Sequence, residues 1–364
     1  MSYKKSFITM VGIIIFGLLG VATFNYRVDP AGLFRTSKYE SGIADILIAK
    51  QNVANISNYD ERLVQKYIIE SSIEKRDVLV LGSSRVMQIR GSLFPQQTFF
   101  NHSVSGASIE DDIALFAMYK ERNLIPQKII IGLDPWLLNK YHGQDRWKSL
   151  NEEYKKAGLY LELDNEKVTY FNKSFYEKYL ELISLPYFKA SFNRLMHPEK
   201  QKNEYYATEY YATMDSEATV AIKLADGAIS YPDKMRNMSV ENVRKEAINY
   251  ANATPIYSLG NFDKFDEENK RKFENFIKYL KNLNIEIVFV LPPYHPEVYN
   301  ALVNNPRYSV ALDTESYFRD FAKQQDILIV GSYNPFECLL SDADFYDGMH
   351  AKPQAINKIL SESK

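Results

Sequence analysis

The sequence predicts an α/β fold: a three-layer α/β/α sandwich around a parallel five-stranded sheet, with an N-terminal transmembrane helix and an inserted helical cap. Five short apolar runs are continuous rather than alternating, which is typical of strands buried on both faces of a parallel sheet. Helical patterns separate these runs, and polar residues follow the end of each run. One long apolar segment predicts the transmembrane helix, and one long insert that lacks the alternation of strands and helices predicts the cap.

Composition limits the classes of function. The chain has 364 residues, of which 46% are hydrophobic and 25% are charged, and its net charge is −2, so it can bury one large core or two smaller ones. No basic stripe is present, which argues against a nucleic-acid partner. The single cysteine, Cys338, excludes an intrachain disulfide and a thiolate-rich metal site. Because the histidines lack the spacing and partners of zinc ligands, we expect neither a metal nor a cofactor.

The N-terminal segment predicts a membrane anchor. An uncharged run from Ser6 to Asn25 is long enough to cross a bilayer, and Lys4 and Lys5 before it favour a cytoplasmic N-terminus. We expect residues 1–26 to form an uncleaved anchor in the cell membrane, with the main domain outside the cytoplasm. A cleaved signal peptide is the rival interpretation, but no small-x-small site follows the apolar run.

The remaining chain divides into three predicted parts. Residues 27–76 are a helical connector, residues 77–139 and 266–364 form the core, and residues 140–265, rich in Tyr, Asn, Lys and Glu, form the inserted cap or lid. The strands of the core are predicted at 78–81, 98–101, 128–134, 285–291 and 327–330. Its helices are predicted at 110–121 (amphipathic, with Ser108 as N-cap), 267–283 and 314–325.

The stretch from Asp77 to Arg85 holds the strongest candidate for a nucleophile. An apolar strand runs to Leu81 and is stopped by Gly82, Ser83 and Ser84. A serine at the end of a buried strand and the start of a helix gains backbone N–H donors and the positive end of a helix dipole. The alternative is a serine that only caps the helix.

A serine needs a base, and the base needs an orienting group. His350 follows Asp347 by three residues, so that carboxylate can hold one ring nitrogen while the other reaches the serine. Asp342 and Asp344 lie in the same loop, but they do not have this spacing.

Four blocks together resemble the SGNH/GDSL hydrolase superfamily, whose fold is flavodoxin-like. They are Gly82-Ser83-Ser84, the loop at Gly106, Gly132-Leu133-Asp134 and Asp347-x-x-His350, and the resemblance covers residues 77–136 and 285–352. It implies that Ser84 is the nucleophile, His350 the base and Asp347 its orienter. The backbone N–H groups of Ser84 and Gly106 would then form the oxyanion hole. Ser83 stays open as a less favoured nucleophile.

The third block departs from the family pattern. Its usual asparagine donates an amide to the oxyanion, whereas this chain has Asp134, whose charge would repel the oxyanion. We expect Asp134 to pair instead with Arg85, which could orient the substrate or the loop.

With its predicted anchor and its Gly-Ser-Ser block, the chain resembles the extracytoplasmic acyl-handling proteins of bacterial surface polymers. The D-alanine transfer and alginate O-acetylation proteins are examples. The resemblance implies an esterase or O-acyltransferase that moves an acyl group onto or off a cell-surface glycan through an acyl-Ser84 intermediate. It also implies an acyl donor and, as a possible partner, a membrane-bound O-acyltransferase.

Several other residues could contact the substrate or support the site. His295 follows a strand end, and the rings that could stack on sugars are Trp136, Trp147, Tyr294 and the tyrosines of segment 205–211. Ordinary packing is the alternative for each of them.

Two functions of other classes compete with the enzyme. A degenerate SGNH domain could bind a surface polymer or a membrane-bound O-acyltransferase without catalysis, and the Asp134 substitution and the cap favour it. An intracellular lipase or thioesterase would require the N-terminal run not to be an anchor.

Overall fold

A computed structural model of the chain describes residues 3–29, 38–57, 59–161, 179–196 and 210–361. The chain divides into two compact units. One contains Met1–Lys38 and Asn165–Glu209, and the other contains Tyr39–Asp164 and Tyr210–Lys364. The second unit therefore includes both ends of the predicted insert and most of the predicted connector.

The elements are numbered in chain order. The α-helices are α1 (Tyr3–Val28), α2 (Lys38–Ile48), α3 (Glu61–Ser71), α4 (Ile109–Glu121), α5 (Asn151–Gly158), α6 (Leu185–Met196), α7 (Asp233–Arg236), α8 (Val240–Ala251), α9 (Glu267–Asn282), α10 (Pro296–Val303), α11 (Ser309–Gln325) and α12 (Pro353–Ser361). The strands are β1 (Asn52–Ala54), β2 (Val78–Leu81), β3 (Phe99–Asn101), β4 (Lys128–Gly132), β5 (Tyr211–Thr213), β6 (Ile222–Lys223), β7 (Ile229–Ser230), β8 (Glu286–Leu291) and β9 (Leu328–Gly331). Short 3₁₀ helices occupy Ser84–Val86, Gly91–Leu93, Pro135–Leu138, Arg146–Leu150, Pro306–Tyr308 and Asp342–Asp344.

The larger sheet has five parallel strands in the order β3-β2-β4-β8-β9, which confirms the predicted parallel five-stranded sheet. Val80 of β2 lies beside Asn101 of β3 on one side and Ile130 of β4 on the other. All five predicted strands form at the predicted positions to within a few residues. Because the strands are parallel, their carboxyl ends lie at one edge of the sheet.

Both faces of this sheet are buried, which explains why its strands are continuously apolar. Leu79, Ile129 and Phe289 belong to one hydrophobic cluster. Their strand neighbours, such as Val80 and Ile130, belong to a second cluster. Successive side chains of a strand point to opposite faces, so each face contributes to its own core.

Helix α4 begins after Ser108 as predicted, and Ser108 and Asp111 form a capping box. The prediction that this helix is amphipathic is wrong, because all its residues from Ile109 to Tyr119 are buried. Two of its acidic residues pair with cations: the buried Arg62 contacts Asp111 at 2.7 Å, and the partly buried Lys272 contacts Glu110 at 3.0 Å. The acidic residues thus indicate internal ion pairs here rather than a solvated face.

A second, antiparallel sheet changes the interpretation of the connector and the insert. Its strand order is β5-β1-β6-β7, so one strand from the connector pairs with strands from the insert. The insert, predicted as a partly helical cap, therefore also contains strands. Its strands are only two or three residues long, too short for their periodicity to stand out in the sequence.

In the unit that contains the N-terminus, α1 is the one described helix that is long and apolar enough to cross a membrane, with a mean hydropathy of 2.4 over its most apolar window. Its carboxyl end is bonded to the segment around α6. The side chain of Asn25 donates to the carbonyl of Leu182 at 2.8 Å, and the hydroxyl of Tyr187 donates to Asp29 at 2.7 Å.

Candidate active site

The turn after β2 places two serines in different environments. Gly82 has a φ of +124°, and a Cβ atom there would lie 3.0 Å from the carbonyl oxygen of Gly132 in β4. Glycine is therefore required at this close approach. The Ser83 hydroxyl is buried and accepts a hydrogen bond from the backbone N–H of Arg85, whereas Ser84 is partly exposed. Ser83 is the helix cap, and Ser84 is the serine that remains available.

Ser84, His350 and Asp347 are joined by hydrogen bonds. The Oγ atom of Ser84 lies 2.9 Å from Nε2 of His350, although the two residues are 266 positions apart in the chain. Nδ1 of His350 lies 2.8 Å from Oδ2 of Asp347. With Nδ1 donating to the carboxylate, Nε2 is left to accept the proton of the serine hydroxyl.

Asp347 is fixed in its charged form. Burial raises the pKa of its carboxyl, but His350 and the backbone N–H groups of Met349 and His350 outweigh burial and lower that pKa below the ordinary value. The rival acids have other partners. Asp344 accepts from the backbone N–H of Ser341, and Asp342 lies 3.5 Å from His295.

Arg85 connects four segments at this edge of the sheet. Its Nη1 atom lies 2.8 Å from Asp134, so the predicted ion pair is present. Its other nitrogens donate to the carbonyls of Pro292 and Met349, the latter at 3.3 Å, and its guanidinium lies 3.8 Å from the ring centre of Tyr294. Arg85 therefore links the serine turn to the ends of β4 and β8 and to the residue before His350.

The Arg85–Asp134 pair is fully buried, and burial acts on both pKa values. Burial lowers the pKa of the guanidinium, but Tyr294 and Asp134 outweigh it and hold that pKa above the ordinary value. Burial raises the pKa of the Asp134 carboxyl, and the contact with Arg85 opposes this rise. Asp134 thus pairs with the Arg85 guanidinium and accepts from the Ser83 hydroxyl, which also lowers the pKa of its carboxyl.

The loop after β3 is held by two residues for which the sequence suggested no role. The Glu61 carboxylate accepts from both the backbone N–H and the hydroxyl of Ser105. Arg62 donates to the carbonyl of Ser105 at 3.3 Å while it makes two bonds to Asp111, at 2.7 and 2.9 Å. These contacts fix the peptide that joins Ser105 to Gly106.

The fixed peptide determines where the N–H of Gly106 points. A trans peptide is planar, so its C=O and N–H point in opposite directions, and the N–H of Gly106 is directed away from Arg62. The backbone N–H groups of Ser84 and Gly106 donate no hydrogen bond to any residue that the structure describes. Both donors are therefore available to an external acceptor.

Two of the predicted contact residues are buried supports. Trp136 is only 1% exposed, and its ring N–H donates to the carbonyl of Ala107 at 2.9 Å. The prediction that its ring can stack on a sugar is wrong for this reason. His295 is 0% exposed, and its Nδ1 accepts from the backbone N–H of Glu297, which caps α10. Tyr294 is likewise buried, against Arg85.

Comparison with protein families identifies the chain. A family model described as "Protein of unknown function (DUF1574)" matches residues 47–358. The chain belongs to the DUF1574 family. No curated protein and no solved structure matches it. The matched range of this DUF1574 protein contains Ser84, Arg85, Asp134, Asp347 and His350, and it begins after the apolar N-terminal helix.

The insert of this DUF1574 protein supplies a residue beside the candidate base that sequence reasoning missed. The ring of Tyr231 lies 5.7 Å from that of His350 and 5.0 Å from that of Tyr346, measured between ring centres. Tyr231 directly follows β7, and no motif distinguishes it from the many other tyrosines of the insert.

The remaining aromatic candidates pack against other rings or lie outside the described residues, except Tyr211, which is exposed on β5. Trp147 packs against Tyr154 with 5.0 Å between ring centres, and Tyr210 packs edge-on against Tyr39 at 4.9 Å. The other tyrosine pair of the predicted glycan-lining segment, at positions 205 and 206, is outside the part of the chain that the structure describes.

Proposed function

We propose that this DUF1574 protein is an SGNH-type serine esterase or O-acyltransferase that acts on a cell-surface glycan through an acyl-Ser84 intermediate. The proposal includes the three-layer SGNH arrangement and a cell-membrane anchor that leaves the main domain outside the cytoplasm. It rests on the chain of hydrogen bonds from Ser84 to His350 to Asp347 at the carboxyl edge of a parallel sheet. Ligands of open α/β sheets bind at that edge.

The proposed reaction begins when Ser84 Oγ attacks the ester carbonyl and His350 Nε2 takes the hydroxyl proton. The carbonyl π electrons move to oxygen, and the N–H groups of Ser84 and Gly106 are suited to bind the resulting oxyanion. When the tetrahedral intermediate collapses, the bond to the alcohol oxygen breaks and His350 returns its proton to the leaving alcohol. Water or a sugar hydroxyl, deprotonated by His350, then attacks the acyl-serine; the bond between the acyl carbon and Ser84 Oγ breaks, and His350 returns the proton to Oγ.

Asp134 is compatible with this scheme because of Arg85. The ion pair neutralises a carboxylate that would otherwise repel the oxyanion, so stabilisation is left to the two backbone donors. The acyl donor, and a membrane-bound O-acyltransferase as the partner that supplies it, belong to the proposal as well.

The test uses the full chain in detergent with p-nitrophenyl acetate and a fluorophosphonate. We expect turnover and covalent labelling, with Ser84→Ala losing labelling and at least about 10³-fold in kcat. Ser83→Ala is the matched control, because it removes the neighbouring hydroxyl but leaves the Ser84–His350 contact. Absence of both turnover and labelling, or labelling that persists in Ser84→Ala, would contradict the proposal.

A non-catalytic binding domain is the second candidate, and the carboxylate of Asp134 at the position where the SGNH pattern has an amide favours it. Genetic complementation separates the two functions. If a gene carrying Ser84→Ala restores surface modification as well as the wild-type gene, the domain binds rather than catalyses.

A further inference from the structure

The insert places three polar groups around Gly106. Gly106 has a φ of +56°, and a Cβ atom built on it would lie 2.6 Å from Nη2 of Arg146 and 2.6 Å from the hydroxyl of Tyr257. The side-chain oxygen of Gln144 is closer still. A residue with a Cβ atom would therefore displace these groups, and glycine lets them converge beside the free backbone N–H.

Arg146 differs from the other arginines of the site. Arg62 and Arg85 are buried and each contacts a carboxylate, Asp111 and Asp134 respectively. Arg146 is exposed, and within the described part of the chain its guanidinium donates to one acceptor, the Gln144 side-chain oxygen at 3.4 Å. No carboxylate of the described residues lies within ion-pair distance of it. Among the described residues its charge therefore has no carboxylate partner, and its side chain is accessible at the edge of the proposed oxyanion site.

The neighbours of Arg146 hold the surrounding groups in place. Gln144 is 9% exposed, and its amide nitrogen donates to the hydroxyl of Ser258 at 2.5 Å. The ring of Tyr257 packs edge-on against the buried Trp136, with 5.5 Å between ring centres. The hydroxyl of Tyr257 and the guanidinium of Arg146 therefore form a pair of donors beside Gly106, next to side chains that are themselves held by hydrogen bonds and ring packing.

We propose that Arg146, together with Tyr257, binds an anionic group of the substrate, a carboxylate or a phosphate, next to the ester that Ser84 attacks. This inference rests on the proposed acyl-transfer function and adds the substrate class: an anionic ester rather than a neutral one. Recognition of an anion by an arginine combines charge with directed N–H donors.

The test compares matched esters that differ in charge. In the first pair, sodium 4-acetoxybenzoate and methyl 4-acetoxybenzoate carry the same acetyl group and differ in charge on the leaving group. In the second pair, 4-nitrophenyl hemisuccinate and 4-nitrophenyl acetate share the leaving group and differ in charge on the acyl group. We expect wild-type full-length protein to prefer the anionic member of at least one pair. Arg146→Gln should lower the anionic-to-neutral ratio of kcat/KM for that pair by about 10- to 100-fold. Arg146→Lys should retain part of the preference, since it keeps the charge.

Lys148→Gln is the matched control, because Lys148 is an exposed cation on the same 3₁₀ helix and pairs with Asp145. This variant should leave kcat/KM unchanged for both the anionic and the neutral ester. Raising the salt concentration should lower the wild-type preference. If Arg146→Gln leaves the anionic-to-neutral ratio of kcat/KM unchanged in both pairs, the inference is overturned, while the proposed esterase reaction is not affected. Failure of wild type to hydrolyse any of the four esters would instead reject the proposed function and this inference together.

Discussion

Arg85 keeps its charge in the interior because groups from several segments surround its guanidinium. Asp134 supplies the opposite charge, two carbonyls accept its N–H groups, and Tyr294 covers one face. A buried charge of this kind is stable only while its partners remain, because removal of one partner leaves an uncompensated ion in a poorly solvated place. Arg85 thus makes the geometry of the Ser84 turn depend on three other loops.

Asp134→Asn should therefore lower the free energy of unfolding by about 3–5 kcal/mol, because it neutralises the acid and leaves the buried guanidinium without a counter-ion. Urea denaturation monitored by fluorescence measures the change. Glu286→Gln is the control, since it breaks the exposed Lys128–Glu286 pair and should cost less than about 1 kcal/mol. Equal losses in the two variants would show that Arg85 does not depend on Asp134.

His102 provides a pH dependence of stability. Its Nδ1 lies 2.7 Å from the side-chain oxygen of Gln65 and its Nε2 lies 2.6 Å from the hydroxyl of Tyr119, so the neutral ring satisfies both partners. Burial lowers the pKa of His102 well below the ordinary value, and the charges of Arg76 and Lys223 add to this effect.

The unfolded chain therefore binds a proton at His102 near pH 6.5 that the folded chain does not bind. Stability is retained above this pH and falls below it, with a slope from this residue of up to about 1.4 kcal/mol per pH unit. His102→Gln should reduce the slope of unfolding free energy between pH 6.5 and 5 by that amount. Unaltered slopes would show that His102 is protonated in the folded protein.

Helix α3 is the element that connects the segment before the sheet to the loop after β3. Glu61 and Arg62, in its first turn, contact both backbone groups of Ser105 and its hydroxyl. Asp60 caps the helix by accepting from the N–H groups of Arg62 and Leu63. The start of the helix is thus fixed at the point where it holds the loop.

Arg62→Lys should lower kcat for p-nitrophenyl acetate by about 10- to 100-fold and leave KM unchanged. Lysine preserves the charge opposite Asp111 but lacks the planar fork that also reaches Ser105, so the N–H of Gly106 loses its fixed direction. Lys66→Gln on the same helix removes the pair with Glu153 and should leave kcat unchanged. A parallel rise in KM for Arg62→Lys would indicate a general distortion instead of a positioning role.

The strands of the larger sheet could be predicted because burial on both faces leaves continuous apolar runs, as in β2 and β4. The contact of Ser84 with His350 could be predicted because Gly82-Ser83-Ser84 and Asp347-x-x-His350 resemble blocks of the SGNH/GDSL superfamily. The Arg62–Ser105 contact, the ring of Tyr231 and the short strands β5 to β7 could not be predicted, because they depend on tertiary packing of segments with no distinct period. Tertiary contacts likewise turned the acidic face of α4 inward.

At the scale of the whole chain, the contacts at the end of α1 bear on whether the N-terminus is retained. Asn25 bonds to Leu182 and Asp29 bonds to Tyr187, so cleavage after the apolar run would remove the first contact and detach Asp29 from the helix that positions it. We expect the intact mass of the protein purified from membranes to include the N-terminal helix. A mass that lacks it would show that the segment is a signal peptide.

The long separation of Ser84 and His350 in the sequence has a consequence for biogenesis. The ribosome synthesises Ser84 early and His350 266 residues later, so under the proposed topology a chain still crossing the bilayer would hold Ser84 without its partner His350. Arg85 likewise lacks one of its partners until late in synthesis, because it donates a hydrogen bond to the carbonyl of Met349 near the C-terminus. The contact between Ser84 and His350 can therefore form only after the C-terminal segment has been synthesised.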